Sequence, residues 1–527
     1  MFLKELPDYA FSLAEVTAEI FKRLVAVQVQ QLIMQLRSRS VGSSDDKSAK
    51  VANGNGDSGA TCTNGVAKNT IIAEPTTHIL SWPEYVLYQI VTPLFLITCS
   101  PNFIILLWFT CTKCDGSFMK LYNDHFVKDG VVTTLVSIWS SISIINPFTL
   151  CLIYGYALFA LLLQIMVPGP RAEGPVTPKG NVPVYKDNGF SCYVITMVTF
   201  AGLTYYLKQH GMSPTIVYDR FGEILGALNI FSLLICLVLY FKGKYMPSTE
   251  DNSTTGNPLF DYYWGTELYP RIFGVDVKVF TNCRFGMTVW PLLVCIFALK
   301  SYELHGFVDS MFVCTFLQMF YFTKFFWWEA GYMGTIDIMM DRAGFYICWG
   351  CLVYIAGLYG SVSLYMVNHP VQLGVGLTAL LLTVGILSTI VNFWADMQKQ
   401  QVRNSNGNCL IWGKKPDIIR AKYRIENGDV KESILLASGF WGISRHFHYN
   451  AEWLLAFAWS VPGLFENVMP YVYFIWLLIL LSHRSFRDDT KCHNKYKQYW
   501  EQYRQKSSGS KEMVLQELKG SSPPNFP

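Results

Sequence analysis

Residues 373–394 read LGVGLTALLLTVGILSTIVNFW, without one ionisable side chain. A helix needs roughly 20 apolar residues to cross the hydrocarbon core of a bilayer. This stretch is long enough, and nothing in it would resist leaving water. Working outward, Thr149–Met166, Ile224–Tyr240, Met287–Leu299 and Phe345–Val367 are similarly depleted of charge. The whole chain follows the same bias. Over 527 residues, 51% are hydrophobic and only 15% charged, against about a quarter charged in soluble domains. Mean hydropathy is +0.25. The composition implies an all-α, multi-pass bundle of transmembrane helices.

About ten crossings are expected, near 85–109, 148–166, 191–206, 223–241, 286–298, 308–327, 344–367 and 372–396, and within 452–482. The last is interrupted by PGLFEN (462–467), a break expected to divide it into two helices. Residues 131–147 are apolar too and read as an interfacial helix or a further crossing. No internal repeat is visible, which argues against an inverted-repeat transporter. The net charge of +4 is small and scattered, so no nucleic-acid partner is expected. Many of the 14 cysteines lie inside apolar runs, where cysteine packs as a small hydrophobe. No disulfide framework and no cleavable signal peptide is evident.

Ahead of the crossings, residues 1–37 carry an amphipathic helical pattern, with Phe11, Val16, Ile20, Leu24 and Val27 among its apolar positions. It reads as a helix docked on the protein or lying in the membrane interface, with a partner-binding helix as the alternative. Residues 38–78 form a linker that starts rich in Ser, Gly, Asn and Asp, and 506–527 form a polar tail. Both are expected to be disordered. The transmembrane domain spans 79–505.

Chemistry-bearing residues concentrate in the second half. Lys399 and Arg403 sit four apart at the end of the opening stretch and would share a helix face. Two cations so placed can hold a phosphate, although basic residues also flank crossings for topological reasons. The polar run Ser438–Tyr449 brings Arg445, His446, His448 and Tyr449 together just before a crossing. Ionisable side chains at membrane depth are functional candidates. A second run follows the last crossing, from His483 to Tyr503. Between two earlier crossings lie Glu329, Asp337 and Asp341, read from spacing alone as a loop. The CxxC pairs Cys111/Cys114 and Cys348/Cys351 do not assemble the four ligands of a zinc site, and no metal is expected. No GxGxxG opens a helix after a strand, so a nicotinamide cofactor would not be held by a Rossmann domain.

These stretches also carry a resemblance. GPVTPKGNVPVYKDNG (174–189), SPTIVYD (213–219), GTELYPRI (265–272), KFFWWEAGYMGTIDI (324–338), NHPVQL (368–373), CLIWGKKP (409–416), SGFWGISRHFHY (438–449) and HRSFRDDTKCHNKYKQYW (483–500) resemble, in order, the sterol reductase family, which includes the carbon-14 reductases and the lamin B receptor. The resemblance implies about ten helices in the endoplasmic reticulum membrane, NADPH in a polar C-terminal pocket, and sterol arriving from the bilayer through a lipid-facing tunnel. It implies reduction of the 7,8 double bond of a 5,7-diene sterol. Carbon-14 reduction and a non-catalytic sterol-binding role are the alternatives. Carried over by position, Lys399, Arg403, Leu436, Trp441, His448, Tyr449, Asp488, Cys492, His493, Asn494, Lys495, Tyr496 and Tyr503 are the expected cofactor contacts. A sterol double bond is unpolarised, so an acid must protonate one carbon as hydride reaches the other. Glu329 and Tyr449 are the expected acids, with Glu452 supporting. The sequence departs from the family at His448 and Glu452, where Asn and Asp are usual.

Overall fold

The computed structural model describes residues 81–177, 179–425 and 428–507. The expected N-terminal helix, the linker and the tail past residue 507 lie outside them. The first helix starts at a capping box, where Ser81 N–H and Oγ both donate to Glu84 at 2.8 and 2.7 Å. Among the described residues, seven helices are long and apolar enough to cross a membrane: α1 (Trp82–Lys113), α3 (Pro147–Met166), α4 (Gly189–Gln209), α5 (Phe221–Tyr245), α6 (Val277–His305), α8 (Phe345–Asn368) and α9 (Gly374–Asn404). Between α1 and α3 lies α2 (Val131–Ser141), whose 11 residues are too few to cross.

Three further helices complete the bundle: α7 (Asp309–Trp327), α10 (Phe447–Ser460) and α11 (Val472–Tyr496). They depart from the apolar pattern because they carry polar side chains inward or run on into water. As expected, the chain breaks at Pro462, where a short 3-10 turn separates α10 from α11. Seven of the described helices thus meet the length and apolarity of a crossing, and these three pack among them.

Cross-links between helix ends fix their directions. Thr149 donates to Glu223 at 2.8 Å, joining the starts of α3 and α5. Asp309 accepts from Leu373 and Gly374 N–H at 2.7 and 2.8 Å, joining the starts of α7 and α9. His305 meets Val367 O at 3.0 Å, and His369 meets Asp115 O at 3.0 Å. All of these lie on one face, the distal face. The opposite face gathers the start of α1, where Asn257 donates to Gln89 O at 2.7 Å, and the pair Lys242–Glu267 at 2.6 Å. The ends of α9 and α11 lie there too, so we call it the polar face.

The core lies along α6 and α8. In their most apolar windows 72% and 78% of residues are buried, against 17% in α3 and α4, which face lipid. Trp290 anchors the core. It is edge-on to Phe322, Tyr359 and Trp459, and its Nε1–H donates to Gln318 Oε1 at 2.9 Å. That bond satisfies the indole inside the bundle.

The described strands form three antiparallel hairpins. β1 (Arg171–Glu173) pairs with β2 (Val184–Lys186), and β3 (Arg271–Ile272) with β4 (Val275–Asp276). The longest joins β5 (Ile418–Arg424) to β6 (Val430–Leu436), in register Ile418 with Leu436. The all-α expectation did not include it. It covers the polar end of the bundle and packs on α11 and on α12 (Gln498–Lys506).

Candidate functional site

The end of α9 supplies the first half of the site. Its helical pitch puts Asn392, Asp396, Lys399 and Arg403 along one side. Lys399 Nζ lies 4.1 Å from the centroid of the Trp441 ring, a cation–π contact. Trp441 stands on the short helical turn Phe440–Ile443. Its Nε1–H donates to Ala395 O at 2.7 Å, and Phe440 N–H donates to Gln398 Oε1 at 3.1 Å. Before this turn Gly439 has φ +64°, and a Cβ there would lie 2.4 Å from Gln398 Oε1. Only glycine suits both the backbone and the space. Trp441 packs with Leu436, Val402 and Ile411 beneath the hairpin.

The first turns of α10 supply the interior half. Trp441, His448 and Tyr449 form a run of rings, with centroids 5.1 Å and 4.3 Å apart. His446 stacks on Tyr449 at 5.0 Å. His448 O accepts from Asn392 Nδ2 at 2.9 Å, and Asn392 Oδ1 accepts from Lys324 at 2.5 Å. The ring Nδ1 of His448 is buried without a partner, and such a group in a native site calls for a missing one. One turn on, Glu452 faces Tyr321 of α7, Lys324 and Arg484. His446, His448, Tyr449 and Glu452 are each half-buried, and Tyr449 packs against the main core.

The second half of α11 closes the site. Arg484 pairs with Asp337, and Arg487 pairs with Asp341, which is fully buried. Asp489 accepts from Arg445 at 2.7 Å and from Trp500 Nε1 at 3.1 Å. Asp488 faces His446, Lys491 and Lys399. Further along, where α11 has left the bilayer, Cys492, Tyr496 and Tyr503 pack with Tyr423 of the hairpin. Lys495 Nζ lies 4.1 Å above the Tyr423 ring. Burial pushes the Lys495 ammonium down to about 8, with Lys491 adding to the shift. Burial pushes the Cys492 thiol up, so it is a protonated packing group and not a thiolate. His493 meets Glu501 at 3.1 Å and turns toward α12. Asn494 follows it on α11.

Lys399, Arg403, Lys491 and Lys495 repel one another across this space. Lys399 and Arg403 have no ion pair with any described residue. Asp488 and Asp396 offset only part of this charge, and a bound anion would lower the repulsion further. Flat rings at Trp441 and Tyr423 flank the cations. This donor set suits an anionic dinucleotide, with its phosphates on the cations and its ring systems against aromatic faces. No parallel sheet is present among the described residues, in keeping with the missing Rossmann motif.

Glu329 sits elsewhere. Both of its oxygens accept from Arg284, one at 2.8 Å, and each side chain is 1% exposed. Arg284 also donates to Asn188 Oδ1 at 2.7 Å. Both oxygens of Glu329 are therefore engaged by one guanidinium, in a buried bidentate pair. Spacing had suggested a plain loop for 329–341, but its carboxylates are buried and matched to arginines on α6 and α11.

Two parts of the site escaped sequence reasoning. Arg484 and Arg487 looked like a solvated helix end, because their partners lie almost 150 positions earlier. The hairpin carried a usable signal, since alternation in IIRAKYR (418–424) followed by Asn427-Gly428 reads as strand and turn.

Fold and site together define a multi-pass membrane protein with a cluster of cations and aromatic rings at one face. Residues 92–509 match the ergosterol biosynthesis ERG4/ERG24 family. The chain belongs to that family of sterol reductases, oxidoreductases that act on a sterol carbon–carbon double bond. It is 47% identical to a 7-dehydrocholesterol reductase of Arabidopsis thaliana over 78% of this chain and 94% of that protein. It is 35% identical to a 7-dehydrocholesterol reductase of Danio rerio over 73% of this chain and 82% of the relative. A Delta(14)-sterol reductase of Methylotuvimicrobium alcaliphilum is 31% identical over 78% of this chain and 92% of its own length.

Proposed function

We propose that this chain reduces the 7,8 double bond of a 5,7-diene sterol, using NADPH, in the endoplasmic reticulum membrane. The observation that carries the reading is the 47% identity to the Arabidopsis relative across 94% of its length. Lys399, Arg403, Lys491 and Lys495 would hold the cofactor phosphates. Leu436, Trp441, His448 and Tyr496 would enclose its ring systems, with Asp488, Cys492, His493, Asn494 and Tyr503 shaping the pocket around them. NADPH supplies the hydride. The polar face is the cytosolic one, because basic residues crowd it from Lys399 to Lys506 and thin out on the distal face.

Proton supply falls to the interior cluster. Tyr449 and Glu452 are the proposed acids, in place of Glu329. Glu452 would carry the transferred proton, with Tyr321, Lys324 and Arg484 facing it. As the proton moves to one alkene carbon, hydride reaches the other, and the double bond becomes a single bond. Lys324 and Arg484 stabilise the carboxylate left behind. Glu329 serves the fold instead: it neutralises Arg284 and fixes the junction of α4, α6 and α7.

The test is sterol profiling of a reductase-deficient cell that expresses this chain. Consumption of 7-dehydrocholesterol is expected. Consumption of an 8,14-diene alone would favour the second reading, carbon-14 reduction, which the bacterial relative supports. No change in either sterol would leave a non-catalytic binding protein.

A further inference from the structure

A groove of about 590 Å³ opens on the lipid-facing side of α9, against the end of α7. Its floor is a stripe at helical spacing, Phe393, Met397, Gln400 and Asn404, and its opposite wall is Trp327 and Trp328. Trp328 stands edge-on to Phe393 with ring centroids 5.7 Å apart. Trp327 is 67% exposed and braced by Phe190 at 5.2 Å. The neighbouring face of α9 carries Asn392, Gln398 and Lys399, so the helix itself separates this groove from the cation pocket.

The groove is polar at one end only. α9 runs toward the polar face, so Gln400 and Asn404 stand nearer to that face than Phe393 does. The Gln400 carboxamide makes no hydrogen bond with any described residue, and its Oε1 is buried. An amide so placed needs a partner that both donates and accepts. Phosphatidylcholine offers acceptors and no O–H, whereas a sterol carries a hydroxyl at headgroup depth above a flat apolar ring system. The volume lies within the ordinary range for small-molecule sites, about 300–1,000 Å³.

We propose that this groove is a peripheral sterol-binding site, separate from the reacting centre, in which the sterol hydroxyl meets Gln400 and the rings lie between Trp328, Phe393 and Met397. The assignment does not depend on the proposed reaction, because it rests on the polarity of the groove alone.

The full chain in phosphatidylcholine nanodiscs, with a diazirine-bearing cholesterol as probe, tests it. After irradiation, label is expected on 393–405 or on Trp327 and Trp328, and unlabelled cholesterol should compete it away. Gln400→Leu should lower this labelling about fivefold, the worth of one ordinary hydrogen bond. Met397→Trp, which fills the groove, should abolish it. Tyr449→Phe should leave it unchanged, which separates the groove from the reaction. Melting temperatures of the variants guard against misfolding. Label that resists competition and both groove variants would show only bulk lipid contact and overturn the proposal. Loss in Met397→Trp without loss in Gln400→Leu would overturn recognition of the hydroxyl. Absence of label from the segment would overturn the site.

Discussion

Tyr449, Glu452 and Glu329 are three acids that chain position alone does not rank. Tyr449 and Glu452 are half-buried, and Glu329 is paired with Arg284. Loss of a positioned acid lowers a rate by about 10²–10⁴-fold. Tyr449→Phe and Glu452→Gln should therefore reduce turnover by that order while NADPH titrations stay near wild type. Glu329→Gln should behave differently. It strips the charge from a buried pair and leaves Arg284 uncompensated, at a cost of about 3–5 kcal/mol, read as a clear fall in melting temperature. If Glu329→Gln is fully stable and inactive, the acid role returns to it. For the cations, Arg403→Ala should weaken NADPH by about tenfold, the loss of one charge-assisted bond, with a smaller effect on NADH. Lys495 is a cation below pH 8 and neutral above it. NADPH affinity should thus fall as pH rises through about 8, and Lys495→Gln should flatten that slope.

At the scale of elements, α9 serves three environments. Its first turns lie in lipid, its end joins the cation pocket, and its outer stripe forms the groove. The turn that follows strand β6 docks on it through Trp441 and Gln398. Gly439 is the hinge of this docking. Gly439→Ala would impose a left-handed residue with a Cβ, costing about 1–2 kcal/mol, and would push on Gln398. The expected result is roughly tenfold weaker NADPH binding with unchanged membrane insertion. Calorimetric or fluorescence titration of the purified variant measures it. Affinity equal to wild type would mean that Trp441 is not a cofactor contact.

For the whole molecule, the start of α1 and the end of α11 lie on one face. The Asn252-Ser253-Thr254 sequon lies on that same face, beside Lys179 and Arg342. It should stay unglycosylated although its sequence permits modification. The loop before α2 lies on the distal face, where His125→Thr creates a sequon at the exposed Asn123. That variant should gain a glycan removable by endoglycosidase, seen as a shift on a gel. A glycan at Asn252 in the unaltered protein would invert the topology and place the cation pocket away from cytosolic NADPH.

Residues 373–394 and their counterparts decided the membrane fold by themselves, because apolar length is a local property and the bilayer selects on it directly. Lys399 and Arg403 were legible for the same reason: one helix turn places them side by side. The polar runs at 438–449 and 483–503 stood out against an apolar background. Pairing was not legible. That Arg484 meets Asp337, that Arg284 occupies Glu329, and that Glu452 faces Tyr321 are long-range choices among many equivalent charges. In a low-dielectric interior each ion must find its partner, and only the packed arrangement of the helices fixes which one is within reach. Tertiary structure therefore decided which carboxylate meets which cation. It also decided that the stripe on α9 faces two tryptophans across a groove.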